Sequence, residues 1–151
     1  MYQNYKIKNF LDLSLEEHKT ILNWRNNKSI SKWMIKKQIS LKEHLSFIEN
    51  LKNSNKRYFL LEDIGVVYFT IYKDFIEIGL YKNPNKQKVG KKLLEFAINY
   101  AFNELKAKKI ILYVFEDNVK AINLYKKFGF IQTDKKDDLI KMELENENRK
   151  P

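Results

Sequence analysis

The stretch NKQKVGKKLL, residues 85–94, sets Lys86, Lys88, Lys91 and Lys92 around Gly90 just where an amphipathic helix begins. A strand ending at Tyr81, a tight turn and a helix starting near Val89 gather free backbone N–H groups at a helix N-terminus. Such donors, with the helix dipole, suit an anion and a phosphate above all. A glycine there lets a ligand approach the backbone closely. A solvated turn capping a helix carries the same residues, so the stretch alone leaves both readings open. The second chemical feature is Glu77 in FIEIGLYK, where Ile76, Ile78 and Leu80 alternate onto one face and Phe75, Glu77, Gly79 and Tyr81 onto the other. A carboxylate on a mid-sheet strand is costly to bury unpaired, which points to a polar cleft beside it; a solvated strand face is the competing reading.

Composition bounds the chemistry. The 151 residues contain no cysteine and two histidines, His18 and His44. A thiol nucleophile and a disulfide framework are therefore excluded, and a protein-ligated metal is not expected. A net charge of +10 favours anionic ligands such as phosphates or nucleotides, and nucleic acid stays open as an alternative despite the absence of a motif with its spacing. No run is long and apolar enough for a membrane span, and the start MYQNYKIKNF has no apolar signal core, so a cytoplasmic protein is expected.

The elements that must position these groups read as one mixed α/β domain. Residues 5–10 suggest a strand. Ser14 with Glu17, and Ser40 with Glu43, have capping-box spacing and predict two helices; a short helix over SISKWM lies between them. Leu41, Leu45, Ile48 and Leu51 form the apolar stripe of the second. RYFLLED, IGVVYFTIY and FIEIGLYK read as an antiparallel meander. A helix from Val89 to about Leu105 carries Leu93, Leu94, Ala97, Ile98, Ala101 and Phe102 on one face. KIILYVF is a buried strand, NVKAINLYKKFG a helix stopped by Gly129, and FIQTD with DLIKMELE a closing pair. The expected domain spans 1–146, and 147–151 is expected to be a disordered tail.

NVKAINLYKKFGF, residues 118–130, resembles the N-x-x-A-x-x-L-Y-x-K-x-G-F signature of the GCN5-related N-acetyltransferases (GNAT). The lysine-rich turn resembles that family's R/Q-x-x-G-x-G/A loop in degraded form: Asn85 stands at the basic or amide anchor, with Lys86 beside it, and Lys88 stands at the first glycine. The loop must therefore suit a residue with a Cβ. WRNNKSISKWM followed by SLKEHLSFIENL resembles the W-R-N…W-M…H-x-x-F pattern of the sugar-nucleotide acetyltransferases of pseudaminic acid synthesis, a route that supplies flagellin glycosylation.

The resemblance implies a GNAT fold of the α/β (α+β) class: a mostly antiparallel mixed sheet of about seven strands, flanked by helices and splayed between strands four and five. It implies acetyl-CoA as cosubstrate, without a metal, its pyrophosphate on the amides from Gln87 through Val89 and Gly90 to Lys91, with Lys86, Lys88, Asn118 and Lys127 nearby. Asn118 also suits the cap of its own helix. Backbone near Leu80 would polarise the thioester carbonyl. Tyr125 stands at the family's acid for the departing thiolate, a role suited to a phenol of pKa ~10; packing beside Leu124 is the alternative. Glu77 resembles the strand-borne base, with Glu116 as competitor. The acceptor implied is a UDP-linked 4-amino-4,6-dideoxy sugar, met by Arg25, Trp33, Met34, His44 and Phe47: an arginine grips phosphate with two donors, and aromatic rings stack on uracil or sugar. His44 shares a helix side with Leu41 and Ile48, which favours packing, and Trp24 reads as core. A protein N-terminus or lysine is the alternative acceptor; a non-catalytic nucleic-acid or partner-binding domain is the alternative class. The exposed meander edge would permit a homodimer.

Overall fold

The computed structural model describes residues 5–149. Ser14 and Ser40 accept hydrogen bonds from the amides of Glu17 and Glu43 (both 3.1 Å), and the two glutamates accept from the serine amides, so both capping boxes close. They start α1 (Leu15–Asn26) and α3 (Leu41–Leu51). Between them Asn27 accepts from the amide of Ser29 (3.0 Å) and starts α2 (Lys28–Ser31), shorter than the SISKWM run predicted. On α3, Leu51 of the expected stripe is buried and so is His44, while Leu41, Leu45 and Ile48 are half-buried.

Seven strands form one sheet in the order β1-β2-β3-β4-β5-β7-β6. The meander consists of β2 (Lys56–Leu61), β3 (Gly65–Ile71) and β4 (Ile76–Lys82), with β1 (Ile7–Asn9) on its edge. The strand expected over 5–10 stops at Asn9, whose side chain accepts from the Leu11 amide (2.9 Å) and turns Phe10–Asp12 into a 3₁₀ turn. The other half of the sheet comprises β5 (Lys109–Phe115), β7 (Leu139–Glu145) and the exposed edge strand β6 (Ile131–Lys136). Only β4 and β5 pair in parallel; every other neighbour is antiparallel.

Their crossover carries α4 (Gly90–Asn99), and α5 (Val119–Lys127) follows β5. Past Asn99 the helix continues as one wide π turn, Tyr100–Glu104, so the predicted extent holds with a local bulge. One core packs Leu93, Leu94 and Ala97 of α4 on Val67, Phe69, Ile78 and Ile110. On the opposite sheet face, Ile21 and Trp24 of α1, Phe10 and Leu51 pack on Leu60, Val66 and Tyr81. The tail expected to be disordered from residue 147 is docked as far as Arg149. Asn146–Asn148 make a 3₁₀ turn, and the Arg149 guanidinium donates to Asn99 (2.8 Å) and Asn103 (3.2 Å). Residues 150 and 151 lie outside the described chain.

Candidate active site

The β4–β5 ladder holds only two residue pairs, Ile76–Ile110 and Glu77–Ile111, although each strand has seven residues. β4 stays paired with β3 along its full length, and β5 with β7 along its own, so the sheet opens between two intact halves. The Asn83 amide donates to Ile64 O (2.9 Å) and the Tyr72 amide to Phe75 O (3.0 Å). This phase aims the odd-numbered peptide groups of β4 at β3 and the even-numbered ones at β5. Ile78 is the last even residue the short ladder serves, and Leu80 presents its N–H to the gap. A cleft of about 910 Å³ fills that gap.

At one end of the cleft stands the N-terminus of α4, lined by Lys88, Val89, Gly90 and Lys91. Side chains cap α1, α2, α3 and α5, but α4 begins at Val89 without one. Its first-turn amides therefore remain for an anion. Lys88 has φ 58°, in the left-handed region that favours glycine. The loop thus keeps the backbone shape of a glycine at this position and bears a lysine in it. A Cβ on Gly90 would meet only Leu124, at 3.6 Å, so its backbone lies open to the cleft. Lys86 and Gln87 do not line the cleft. The Lys86 ammonium pairs with Asp63 (2.9 Å), which corrects its expected place beside the anion. Gln87 is exposed and contributes only its backbone to the turn.

Tyr125 lies on the cleft wall from α5, whose first turn is capped by Asn118 accepting from the Ala121 amide (3.4 Å). Burial pushes its phenol well above the ordinary value and the nearby Tyr68 adds to this, so Tyr125 holds its proton at neutral pH. Lys127 lines the same wall. Glu77 lines the opposite strand; burial raises its carboxyl pKa, and Lys56 opposes that rise. Glu116 is absent from the cleft lining and forms an ion pair with Lys135 of β6 (2.5 Å). The competing base is thereby removed from the site.

Arg25, Trp33 and Met34, expected to meet the acceptor, also line the cleft. Arg25 differs from expectation: its guanidinium donates to the carbonyls of Lys36 (2.7 Å) and Lys37 (3.4 Å), so much of its donor capacity holds the chain between α2 and α3. Asn26 binds both backbone groups of Ile39 (2.7 and 3.0 Å) and reinforces that strap. His44 and Phe47 do not reach the cleft. His44 Nε2 lies 3.1 Å from Nδ1 of His18, both rings buried against Phe10. Phe47 packs edge-on against Tyr58 at 4.9 Å. Phe47 packs against the second core, Trp24 is part of it, and His44 meets it through Phe10.

Tyr68, which sequence reading passed over, also lines the cleft, as does Tyr81 on the Glu77 face. Tyr68 stacks on Tyr58 with ring centroids 4.6 Å apart and 5° between planes. Its register partner is Gly79, where a Cβ would overlap the Tyr68 ring. Alternation in the sequence groups Tyr68 with Val66 and Thr70 on one face of β3, but only the register with β4 puts that face on the side of Glu77.

Comparison with known proteins agrees with this geometry. A profile of the Acetyltransferase (GNAT) family matches residues 18–130. The chain is 42% identical over 139 residues, 88% of each chain, to acetyltransferase PseH of Campylobacter jejuni. It superposes on the crystal structure of that organism's PseH in complex with acetyl coenzyme A with a TM-score of 0.80 and 36% identity, covering 94% of this chain and 99% of the other. Spermidine N-acetyltransferase from Vibrio cholerae, solved with CoA and spermine, shares the fold at TM-score 0.81 and 21% identity over 95% and 96% of the two chains. A cleft opened between two halves of one sheet, an uncapped helix at its end and these likenesses lead to one conclusion: the chain belongs to the GNAT family and is an acetyl-CoA-dependent N-acetyltransferase.

Proposed function

We propose that this acetyltransferase modifies the 4-amino group of a UDP-linked 4-amino-4,6-dideoxy sugar, within pseudaminic acid synthesis for flagellin glycosylation in the cytoplasm. The observation that carries this reading is the charge of the cleft. Arg25, Lys36, Lys82, Lys88, Lys91, Lys120 and Lys127 line its wall, Lys36 being paired with Glu43, and Glu77 is the one carboxylate among its described lining residues. Such a surface attracts a nucleoside diphosphate and repels a polyamine or a lysine side chain. The 42% identity to PseH over most of both chains supports the same acceptor class. Trp33 and Met34 give apolar surface for a sugar or base.

In the mechanism, the amides opening α4 hold the donor's diphosphate, with Lys88 and Lys91 beside them, and Asn118 and Lys127 flank the opposite wall. Leu80 N–H donates to the thioester carbonyl oxygen and stabilises the charge it gains as the amine attacks. Glu77 takes the proton of the acceptor ammonium. As the carbon–nitrogen bond forms and the carbon–sulfur bond breaks, Tyr125 gives its proton to the departing thiolate, and the second proton that the nitrogen sheds on becoming an amide restores the phenol. Thiol release in the presence of acetyl-CoA and the UDP-4-amino sugar, against spermine and peptides as acceptors, tests the assignment. Turnover with the sugar nucleotide is expected; turnover confined to the polyamine or peptides overturns it.

A further inference from the structure

We propose that Tyr68 sets the size of the acyl group this enzyme accepts, its ring forming the wall against which an acetyl methyl fits and a longer chain does not. The inference rests on the placement of the thioester at Leu80, and not on the identity of the acceptor.

Leu80 presents its amide to the gap one residue beyond Gly79, and Tyr68 sits directly across from Gly79 on β3. The atoms a Cβ at position 79 would strike are Cζ, Cε2 and the hydroxyl oxygen of Tyr68. The far end of the ring thus occupies the space that any side chain at 79 would fill, beside the peptide group that faces the thioester. Tyr68 is held there. Tyr58 stacks on it face to face at 4.6 Å, and Tyr58 is itself buttressed by Phe10 at 5.2 Å and Phe47 at 4.9 Å. The tilted ring of Tyr81 is a second neighbour of Tyr68, with centroids 6.4 Å apart. A ring flanked by Tyr58 and Tyr81, with Tyr58 itself backed by Phe10 and Phe47, cannot swing away to admit extra methylenes at small cost. Glycine at 79 and tyrosine at 68 therefore act together: the glycine leaves room for the ring, and the ring takes the room a longer acyl chain needs.

The test is calorimetric and needs no acceptor. Affinities for coenzyme A, acetyl-CoA and butyryl-CoA are measured for the wild type, Tyr68→Phe and Tyr68→Ala. One misfitting methylene in an apolar pocket discriminates by roughly 10- to 200-fold. The wild type and Tyr68→Phe are expected to bind acetyl-CoA at least about tenfold more tightly than butyryl-CoA, and Tyr68→Ala to lose about tenfold of that preference while its affinity for coenzyme A stays constant. An unchanged acetyl-to-butyryl ratio in Tyr68→Ala overturns the proposal, as does loss of the preference in Tyr68→Phe, which would assign it to the hydroxyl. Failure of the wild type to bind any of the three ligands would instead sink the donor-site reading.

Discussion

Glu77 pairs with Ile111, and there the parallel ladder between the two halves of the sheet ends. Everything the site does follows from that early stop. The unpaired remainder of β4 and β5 yields a cleft with backbone donors in its wall, and the last paired residue before the opening is the carboxylate.

Tyr125→Phe keeps the ring that packs 5.9 Å from Phe130 and removes only the hydroxyl, and with it the proton. The expected result is a fall in kcat of roughly a hundredfold or more with acetyl-CoA affinity little changed. Steady-state kinetics with calorimetry checks this, and equal turnover would exclude the phenol from the reaction.

Burial raises the Glu77 pKa, so the acid limb of the rate profile should lie above the ordinary glutamate range, activity falling as pH drops through it. In Glu77→Gln the amine must shed its proton unaided, and the variant should need a higher pH. A pH–rate profile identical to that of the wild type would remove Glu77 as the base.

Much of this was legible in the sequence. Capping boxes at Ser14 and Ser40, alternation along residues 75–82 and the glycine stop after α5 fix the elements because each is a local signal. Local signals also place Tyr125 and the α4 turn. Long-range partners were not legible. Nothing near Glu116 announces Lys135, nothing near Lys86 announces Asp63, and the His18–His44 contact joins residues 26 apart. Tyr68 escaped for the same reason, since its importance lies in facing a glycine on another strand.

Lys88 holds a left-handed backbone at φ 58°. Such a conformation costs a side-chain-bearing residue about 1–2 kcal/mol, partly offset by glycine's greater unfolded-state entropy. Lys88→Gly should therefore stabilise the fold by about 0.5–1 kcal/mol and raise Tm by a few degrees. Thermal unfolding decides it; a lower Tm would mean the lysine side chain contributes more than the backbone strain removes.

His44 is buried beside His18, and burial lowers its pKa from 6.5 to about 4, with the His18 and Arg25 charges acting in the same direction. The unfolded chain binds the proton more readily, so acid favours unfolding. This contribution to stability is complete above pH 6.5 and is lost as pH falls toward about 4. His44→Gln keeps a donor for Nδ1 of His18 and should flatten the slope of Tm against pH in that window. The same slope in both proteins would place the titration elsewhere.

The most direct measurement is a crystal structure with acetyl-CoA bound. The account predicts the diphosphate on the amides opening α4 and the thioester oxygen roughly 3 Å from the Leu80 nitrogen, with its sulfur turned toward Tyr125. Density for the donor elsewhere on the molecule, with the gap between β4 and β5 occupied only by solvent, would contradict it.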